Sequence, residues 1–243
     1  MLSSASPKGT SNKLFKSRLR RRTRLNNGVR PGSMLRLYHF IGQKYGLVAL
    51  QRRRLKISRL HELNDPFEFL AADLSDRPRR RKLRRTKAKL SESKGLLCFS
   101  KSWRNPVLWG HYAEKHQGLC LGFDIPSTHA RQVAYVNSRF SWPETLDEPF
   151  VQQLLFTKFS HWSYEDEYRV YAQLDTAENG LYFADLCDSP VLREVIVGCE
   201  SKVARSEIQE ALGEHAGSVS AFKARAAFRS FQIVRNKNEK LWA

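Results

Sequence analysis

Residues 119–124 read Leu-Cys-Leu-Gly-Phe-Asp, and this short apolar run decides the fold class. A continuous apolar run of this length is typical of a strand that is buried on both faces. The pattern before it predicts a helix from Asn105-Pro106 to His116, because proline suits the first turn of a helix and Gly118 can end it. A helix that leads directly into a buried strand indicates a domain that combines both kinds of element.

Similar patterns on both sides of this run predict a sheet. Short alternating or apolar runs predict strands at residues 35–40, 55–57, 96–100, 131–136, 167–174 and 192–197. Helical patterns occur at residues 41–51, 148–160 and 202–212, and residues 221–234 have mixed character. Strands outnumber helices and alternate irregularly with them, so we expect an α+β fold with a mixed central sheet and flanking helices.

The positive charge is concentrated in two segments of the chain. The formal net charge is +18, but residues 1–33 and residues 77–89 each contain nine Lys or Arg and no acid. The rest of the chain holds 24 basic and 24 acidic residues, so it is electrically balanced. We therefore expect a disordered basic extension at 1–33 and a single α+β domain at 34–243. The basic insertion at 77–89 is expected to form either a short helix or a mobile segment.

The basic extension at 1–33 has two possible interpretations. It is rich in Ser and Arg and contains no acid, which is also the composition of an organelle transit peptide. We favour a dispensable arm with Met34 as the natural start, because the first strand pattern begins at Leu35.

The apolar runs and the cysteines indicate the cellular location of the protein and whether it binds a metal. No apolar run approaches the roughly 20 residues that span a bilayer, so we expect no contact with a membrane. The four cysteines show no paired spacing, which predicts buried reduced thiols rather than disulfides or a metal site. We therefore expect a cytoplasmic protein without a bound metal.

Residues 162–169 read Trp-Ser-Tyr-Glu-Asp-Glu-Tyr-Arg and supply the candidate catalytic groups. In an extended chain Glu165, Glu167 and Arg169 point to one face, where two carboxylates repel each other unless a cation lies close. Arg169 and Lys158 can supply that positive charge, and so can a bound ligand. The alternative interpretation is a surface strand with several salt bridges.

Other candidate residues lie on the predicted helix, the first strand and a turn. The stretch Trp109-Gly110-His111-Tyr112 can form a stacking wall for a planar ring, or it can simply pack in the core. His39 follows Tyr38 on the first strand and is either a ligand-binding or a core histidine. Asn64 and Asp65 belong to an Asn-Asp-Pro turn, in which their side chains can also cap main-chain amides.

The order of these motifs resembles a bacterial family catalogued as domain of unknown function, number twenty-nine seventy-one. The resemblance covers roughly Leu35 to Cys199 and implies no activity by itself. It rests on Leu63-Asn64-Asp65-Pro66-Phe67-Glu68, Cys98-Phe99-Ser100, Leu108-Trp109-Gly110-His111-Tyr112-Ala113, His116, Gly118, Leu121-Gly122-Phe123-Asp124, Trp162, Tyr164-Glu165, Glu167 and Arg169.

A second resemblance implies an activity. The stretch Leu37-Tyr38-His39-Phe40, a helix and then Leu55-Lys56-Ile57-Ser58 are similar to the opening of histidine-type ADP-ribosyltransferases. The resemblance implies that NAD is a co-substrate, that His39 binds its ribose hydroxyls and that Tyr112 stacks on its nicotinamide. Glu167, or else Glu165, would orient the nicotinamide ribose as the catalytic carboxylate. Further contacts with NAD are expected from Tyr38, Asn64, Asp65, Ser100, Trp109, His111 and Arg169.

Three classes of function follow from the sequence. The first is an NAD-consuming ADP-ribosyltransferase or glycohydrolase of a toxin or defence type. The second is a nucleic-acid-binding or processing protein that uses residues 1–33 and 77–89 on phosphates. The third is a non-catalytic interaction domain. A serine-hydrolase elbow and the glycine-rich loops that bind phosphates are absent from the sequence.

Overall fold

The computed structural model describes residues 32–186 and 189–242, and these form helices around a large mixed sheet. The strands are β1 (Met34–Ile41), β2 (Arg54–Arg59), β3 (Lys94–Ser100), β4 (Leu119–Pro126), β5 (Ala130–Gln132), β6 (Ala134–Val136), β7 (Thr157–Phe159), β8 (Glu167–Gln173), β9 (Tyr182–Asp185), β10 (Val191–Val197), β11 (Ser220–Ala226) and β12 (Ile233–Arg235). The α-helices are α1 (Gln43–Gln51), α2 (Arg77–Ser93), α3 (Pro106–Tyr112), α4 (Glu148–Leu155) and α5 (Arg205–Leu212). Short 3-10 helices occupy Ser160–Glu165, Gly213–His215 and Glu239–Leu241. The predicted α+β fold with a mixed sheet is confirmed.

Strand β4 lies at the centre of the sheet. It pairs antiparallel with β1 on one side and with β10 on the other. Leu119, Leu121 and Phe123 enter the main hydrophobic core, whereas Cys120 packs on the opposite face with Trp109 of α3. Because both faces are covered, the apolar run that opened the sequence analysis is buried on both sides, as its composition predicted.

The sheet forks beside strand β3. At its beginning β3 pairs with β2 through Leu96 and Gly95, but at its end it pairs with β1 through Ser100. The other edge of β3 is fully paired with β8. Between these two contacts β1 and β2 diverge, so the middle of β3 has an edge that neither strand covers. This gap positions the cavity described in the next section.

The basic insertion is part of a folded helix. Helix α2 runs from Arg77 to Ser93, with Pro78 in its first turn. Leu83 is completely buried and packs in a second hydrophobic cluster with Leu60 and Phe69. One buried leucine in the basic run is therefore enough to dock the helix, and its charged face points to solvent.

The predicted extended strand at residues 162–169 is wrong in its first half. Residues Ser160–Glu165 form a 3-10 helix, and Asp166 has a left-handed main chain with φ of 43°. Strand β8 begins only at Glu167. Glu165 and Glu167, on either side of the turn at Asp166, nevertheless both contact the ammonium group of Lys158.

Several predicted boundaries also differ. Helix α3 ends at Tyr112 instead of His116, because Glu114, Lys115 and His116 all adopt left-handed main-chain conformations. Helix α4 ends at Leu155, so that residues 157–159 can pair with β6. The predicted strand at 131–136 is divided into β5 and β6, and β9 was not predicted from the sequence.

Within the described ranges, no helix is long and apolar enough to cross a membrane. The extension predicted at 1–33 lies outside the described residues except for its last two.

Glycine 198 gives a test of the packing between the chain after α3 and the sheet. A Cβ atom placed on Gly198 would lie 2.1 Å from the main-chain oxygen of His116, which accepts a hydrogen bond from the main-chain amide of Glu200. We expect Gly198→Ala to lower the free energy of unfolding by about 1–3 kcal/mol, the usual cost of overpacking. Gly217→Ala is the control, because nothing lies within 4 Å of its Cβ position. Urea unfolding of both variants checks this, and equal midpoints would contradict the close approach.

Candidate active site

A cavity of about 320 Å³ opens at the fork in the sheet. Its volume falls within the range of about 300–1,000 Å³ that small-molecule sites occupy. It is lined by Tyr38, His39, Phe40, Ser58, Glu62, Leu63, Asn64, Glu68, Cys98, Phe99, Ser100, Leu108, Tyr112, Lys158, Glu165, Glu167 and Arg169. The residues come from strands, helix α3, the 3-10 helix at 160–165 and the loop after β2, so the cavity exists only in the folded domain.

The structure brings most of the sequence-predicted site residues to this one cavity. The candidates that line it are Tyr38, His39, Asn64, Ser100, Tyr112, Glu165, Glu167 and Arg169. Sequence reasoning did not select Glu68 or Lys158 as site residues, although both lie at the floor of the cavity. The sequence did contain a signal for each of them. Glu68 is a carboxylate in the Asn-Asp-Pro-Phe-Glu stretch with no evident structural role, and Lys158 is a lysine close to two acids in the sequence.

Trp109 is a core residue and does not line the cavity. Its ring is fully buried, its Nε1 donates a hydrogen bond to the main-chain oxygen of Trp103 at 2.6 Å, and it packs edge-on against Phe40. It therefore cannot serve as the predicted stacking wall for NAD.

Asp65 and His111 also lie outside the cavity lining. Asp65 is buried and accepts a hydrogen bond from the main-chain amide of Phe67 at 2.9 Å, which is the turn-capping role considered for it. His111 contacts the hydroxyl of Tyr164 through Nδ1 at 3.2 Å. Neither side chain belongs to the set that surrounds the cavity, so the structure does not bring them together with the other candidates.

Arg169 forms the floor of the cavity between two carboxylates. Its two terminal nitrogens lie 2.5 and 2.9 Å from the two carboxylate oxygens of Glu68, so this contact is bidentate. Its Nε and Nη2 donate to the two oxygens of Glu167 at 2.8 and 3.0 Å, and it also donates to the main-chain oxygen of Leu155. All five donors of a guanidinium are thus directed at acceptors, and the side chain is only 1% exposed.

Lys158 links the two candidate catalytic carboxylates. Its ammonium group contacts Glu165 Oε2 and lies 3.2 Å from Glu167 Oε2. The side chains of Lys158, Glu165 and Glu167 are each no more than 7% exposed. Burial alone would lower the pKa of Lys158, but the carboxylates of Glu167 and Glu165 raise it above its ordinary value. The lysine is therefore charged, as the sequence analysis required of a residue close to two acids.

The buried cluster contains more acids than bases. The carboxyl groups of Glu68, Glu165 and Glu167 face two cations, Lys158 and Arg169. Burial raises the pKa of Glu68 above its ordinary value despite its contact with Arg169, and the nearby Glu167 adds to this rise. Burial also opposes ionisation of Glu167, yet Arg169 and Lys158 hold its pKa below the ordinary value. The cluster therefore disfavours the ionised form of Glu68 and stabilises the ionised form of Glu167.

Tyr112 connects the cluster to the rim of the cavity. Its hydroxyl donates a hydrogen bond to Glu165 Oε1 at 2.5 Å and accepts one from the Nδ2 atom of Asn64 at 2.8 Å. Burial and then Glu165 raise the pKa of Tyr112, so that it keeps its proton. Ser100 holds the main chain of the same residue, since its hydroxyl donates to the main-chain oxygen of Glu165 at 2.6 Å.

His39 lies where β1 leaves the edge of β3. Its Nδ1 donates to the main-chain oxygen of Cys98 at 2.9 Å, in the part of β3 that neither β1 nor β2 pairs with. Burial lowers the pKa of His39, so the ring is neutral at pH 7 and its Nε2 atom is an acceptor. Within the described ranges this Nε2 atom has no hydrogen-bond partner. The hydroxyl of Tyr38, which also lines the cavity, lies beside Glu194, and burial with this carboxylate raises the pKa of Tyr38 to about 12.

Comparison with known proteins did not identify a related protein. No protein-family model, no curated protein and no solved structure matches this chain. Both resemblances described from the sequence therefore stay predictions, and the function must be argued from the site.

The unequal number of acids and bases predicts effects of different size on stability for two substitutions in the cluster. Lys158→Met leaves three carboxylates around one cation, so we expect it to lower the free energy of unfolding by about 3–5 kcal/mol. Glu165→Gln leaves two carboxylates and two cations, and we expect a change of less than about 1 kcal/mol. Urea unfolding at pH 7 measures both. An equal loss in the two variants would contradict the excess of negative charge.

The neutral state of His39 predicts a dependence of stability on pH. Because the pKa of His39 is lower in the folded protein than in the unfolded chain, its contribution to stability is complete above the unfolded value of about 6.5 and is lost as the pH falls below it. We expect the wild-type protein to lose more stability than His39→Asn between about pH 7 and pH 5. Asparagine can keep the hydrogen bond to Cys98. A stability difference between the two proteins that is constant with pH would contradict a lowered pKa.

Proposed function

We propose that this chain cleaves the bond between nicotinamide and ribose in NAD, as an ADP-ribosyltransferase or an NAD glycohydrolase. The observation that carries the proposal is that His39, Tyr112, Glu165 and Glu167 line one cavity although they lie on separate elements. In the reaction the C–N glycosidic bond breaks, nicotinamide leaves, and the oxygen of water or of an acceptor bonds to the ribose carbon and loses a proton.

His39 is suited to bind the ribose. Its Nδ1–H is held by Cys98, which leaves the neutral Nε2 to accept a hydrogen bond from a sugar hydroxyl. The same hydrogen bond fixes the ring plane, so the acceptor is oriented before the ligand arrives.

Tyr112 is suited to form one wall for the nicotinamide ring. It lies beside Leu108 and Phe99 in the cavity lining, which gives an apolar surface next to the polar floor. Its hydroxyl is held by Asn64 and Glu165, so the ring cannot swing out of the cavity without breaking two hydrogen bonds. This is a rigid aromatic surface of the kind that planar ligands stack on.

Glu165 is the carboxylate that we assign to the developing positive charge on the sugar. The sequence analysis ranked Glu167 first, but both oxygens of Glu167 are held in a bidentate contact by Arg169. Each oxygen of Glu165 has one side-chain donor, from Tyr112 and from Lys158, and keeps a lone pair for the substrate. We assign Glu167 a positioning role, in which it holds Lys158 and Arg169 beneath Glu165.

A buried carboxylate is effective here because the transition state is more positive than the substrate sugar. Cleavage of a glycosidic bond produces an oxocarbenium-like sugar, and a fixed negative group stabilises that charge most strongly when water is excluded. One preorganised contact of this type contributes about 3–4 kcal/mol to catalysis. Tyr112 and Lys158 hold the two oxygens of this carboxylate in place before the substrate binds.

Nicotinamide release from NAD tests the proposal. We expect Glu165→Gln to lower kcat by about 100- to 1,000-fold, the loss seen when one such contact is removed. The free energy of unfolding should change little, which separates chemistry from stability. Glu214→Gln is the matched control, because Glu214 is 87% exposed and far from the cavity lining. A wild-type protein that releases no nicotinamide, or a Glu165→Gln variant with full activity, would contradict the proposal.

A second candidate function, contact with nucleic acid, is favoured by helix α2. The helix presents Arg77, Arg81, Lys82, Arg84, Arg85 and Lys89 as exposed side chains. Clustered cations on one helix attract the phosphates of nucleic acids through counterion release. Residues 1–33, the other part of this prediction, are proposed to add to the contact by charge alone. We propose the cytoplasm as the location, where the free thiols of Cys98, Cys120 and Cys199 would remain reduced.

A further inference from the structure

A groove of about 600 Å³ lies between helix α2 and the edge formed by β2 and β9. It is lined by Arg59, His61, Arg84, Lys87, Ala88, Ser91, Glu92 and Tyr182. The groove is separate from the cavity at the fork, but the two share a wall. Ser58 and Glu62 line the cavity, whereas Arg59 and His61 of the same segment line the groove.

The groove has an excess of positive charge. Arg59 is neutralised by Glu62, which also pairs with Lys56 outside the groove. Lys87 donates a hydrogen bond to the main-chain oxygen of Glu68, but its charge is not paired with a carboxylate. Arg84 is exposed and has no acidic partner in the part of the chain that the structure describes. Against these cations the groove lining offers one unpaired acid, Glu92.

Ser91 adds an unsatisfied hydroxyl to the wall of the groove. The residue is buried to 7% exposure, and its Oγ has no hydrogen-bond partner among the described residues. A buried hydroxyl without a partner is unfavourable, and a hydrogen bond to a ligand oxygen would offset that cost.

A row of cations continues from the groove along α2. Arg77, Arg81, Arg85 and Lys89 are spaced by four residues, so they form one line about 18 Å long on the exposed side of the helix. Like charges at this spacing repel each other, and the helix has no acid from Arg77 to Leu90 that would relieve the repulsion. A row of this length matches a linear polyanion better than a single phosphate.

The side chains around the row favour nucleic acid over a membrane surface. A helix that inserts into a membrane interface needs large apolar side chains on its outer face. The two leucines of α2, Leu83 and Leu90, instead pack inward against the protein. The groove provides the ring of Tyr182, a surface on which an unpaired base can stack.

We propose that α2 and its groove bind single-stranded nucleic acid, with a backbone phosphate at Arg84, Lys87 and Ser91 and a base stacked on Tyr182. This inference rests on the proposed contact of α2 with nucleic acid and is independent of NAD cleavage. The row of Arg77, Arg81, Arg85 and Lys89 follows the adjoining phosphates and sets the salt dependence. The aromatic ring confines the preference to strands with unpaired bases.

Fluorescence anisotropy of the full chain with labelled oligo-dT and oligo-rU tests this inference over a series of salt concentrations. Tyr182→Leu should weaken binding about 5- to 160-fold, because stacking of one base is worth about 1–3 kcal/mol. Tyr182→Phe is the matched control and should bind like the wild type, since it keeps the ring. Arg81→Gln with Arg85→Gln should reduce the slope of log K against log salt by about 1.4, from two lost phosphate contacts.

The outcomes separate this inference from the contact on which it rests. If the double arginine variant loses affinity but Tyr182→Leu does not, α2 binds nucleic acid without the groove and the inference is overturned. If the wild-type chain binds neither strand at low salt, both the contact and the inference fail. Tighter binding to duplex DNA, or to vesicles that contain anionic lipid, also overturns it. Unfolding midpoints of all variants verify that each remains folded.

Discussion

The bidentate contacts of Arg169 hold the candidate active site together. One guanidinium joins Glu68 from the loop after β2, Glu167 at the start of β8 and the main-chain oxygen of Leu155 at the end of α4. These three segments are separated along the chain by up to 101 residues. Two of them also share a hydrophobic cluster, in which Phe69 packs with Leu154 and Leu155. Burial of so many charges is unfavourable unless every donor finds an acceptor. The geometry of the cavity floor is therefore determined by one side chain.

The fork in the sheet supplies the space that this cluster fills. Strand β3 is paired along its whole length with β8, but β1 and β2 reach only its two ends. The uncovered main-chain oxygen of Cys98 then needs a partner, which His39 provides. The gap in strand pairing thus creates the cavity. It also fixes the orientation of His39, the one histidine among the residues that line the cavity.

The sequence predicts the elements that depend on the local pattern of apolar residues. It does not predict the conformations and site residues that depend on tertiary contacts. The apolar run of β4 and the alternation in β1 required only burial periodicity. The turn at Asp166 was missed because its left-handed conformation is stabilised by neighbours that are distant in the chain, including the hydrogen bond from Gln132. Trp109 was assigned to a ligand because an aromatic residue beside a histidine has the same pattern in a core and in a site. Arg169 was recognised as a counter-charge, but its second partner, Glu68, lies too far along the chain to be found without the fold.

Glu68 contacts residues of both candidate sites. Its side chain binds Arg169 in the cavity floor, while its main-chain oxygen accepts a hydrogen bond from Lys87 of α2. A ligand in the groove that draws Lys87 away would release this main-chain oxygen and alter the position of the carboxylate above it. Linkage is reciprocal, so an occupant of the cavity would change affinity in the groove by the same factor. One residue can in this way make two separate binding events sense each other.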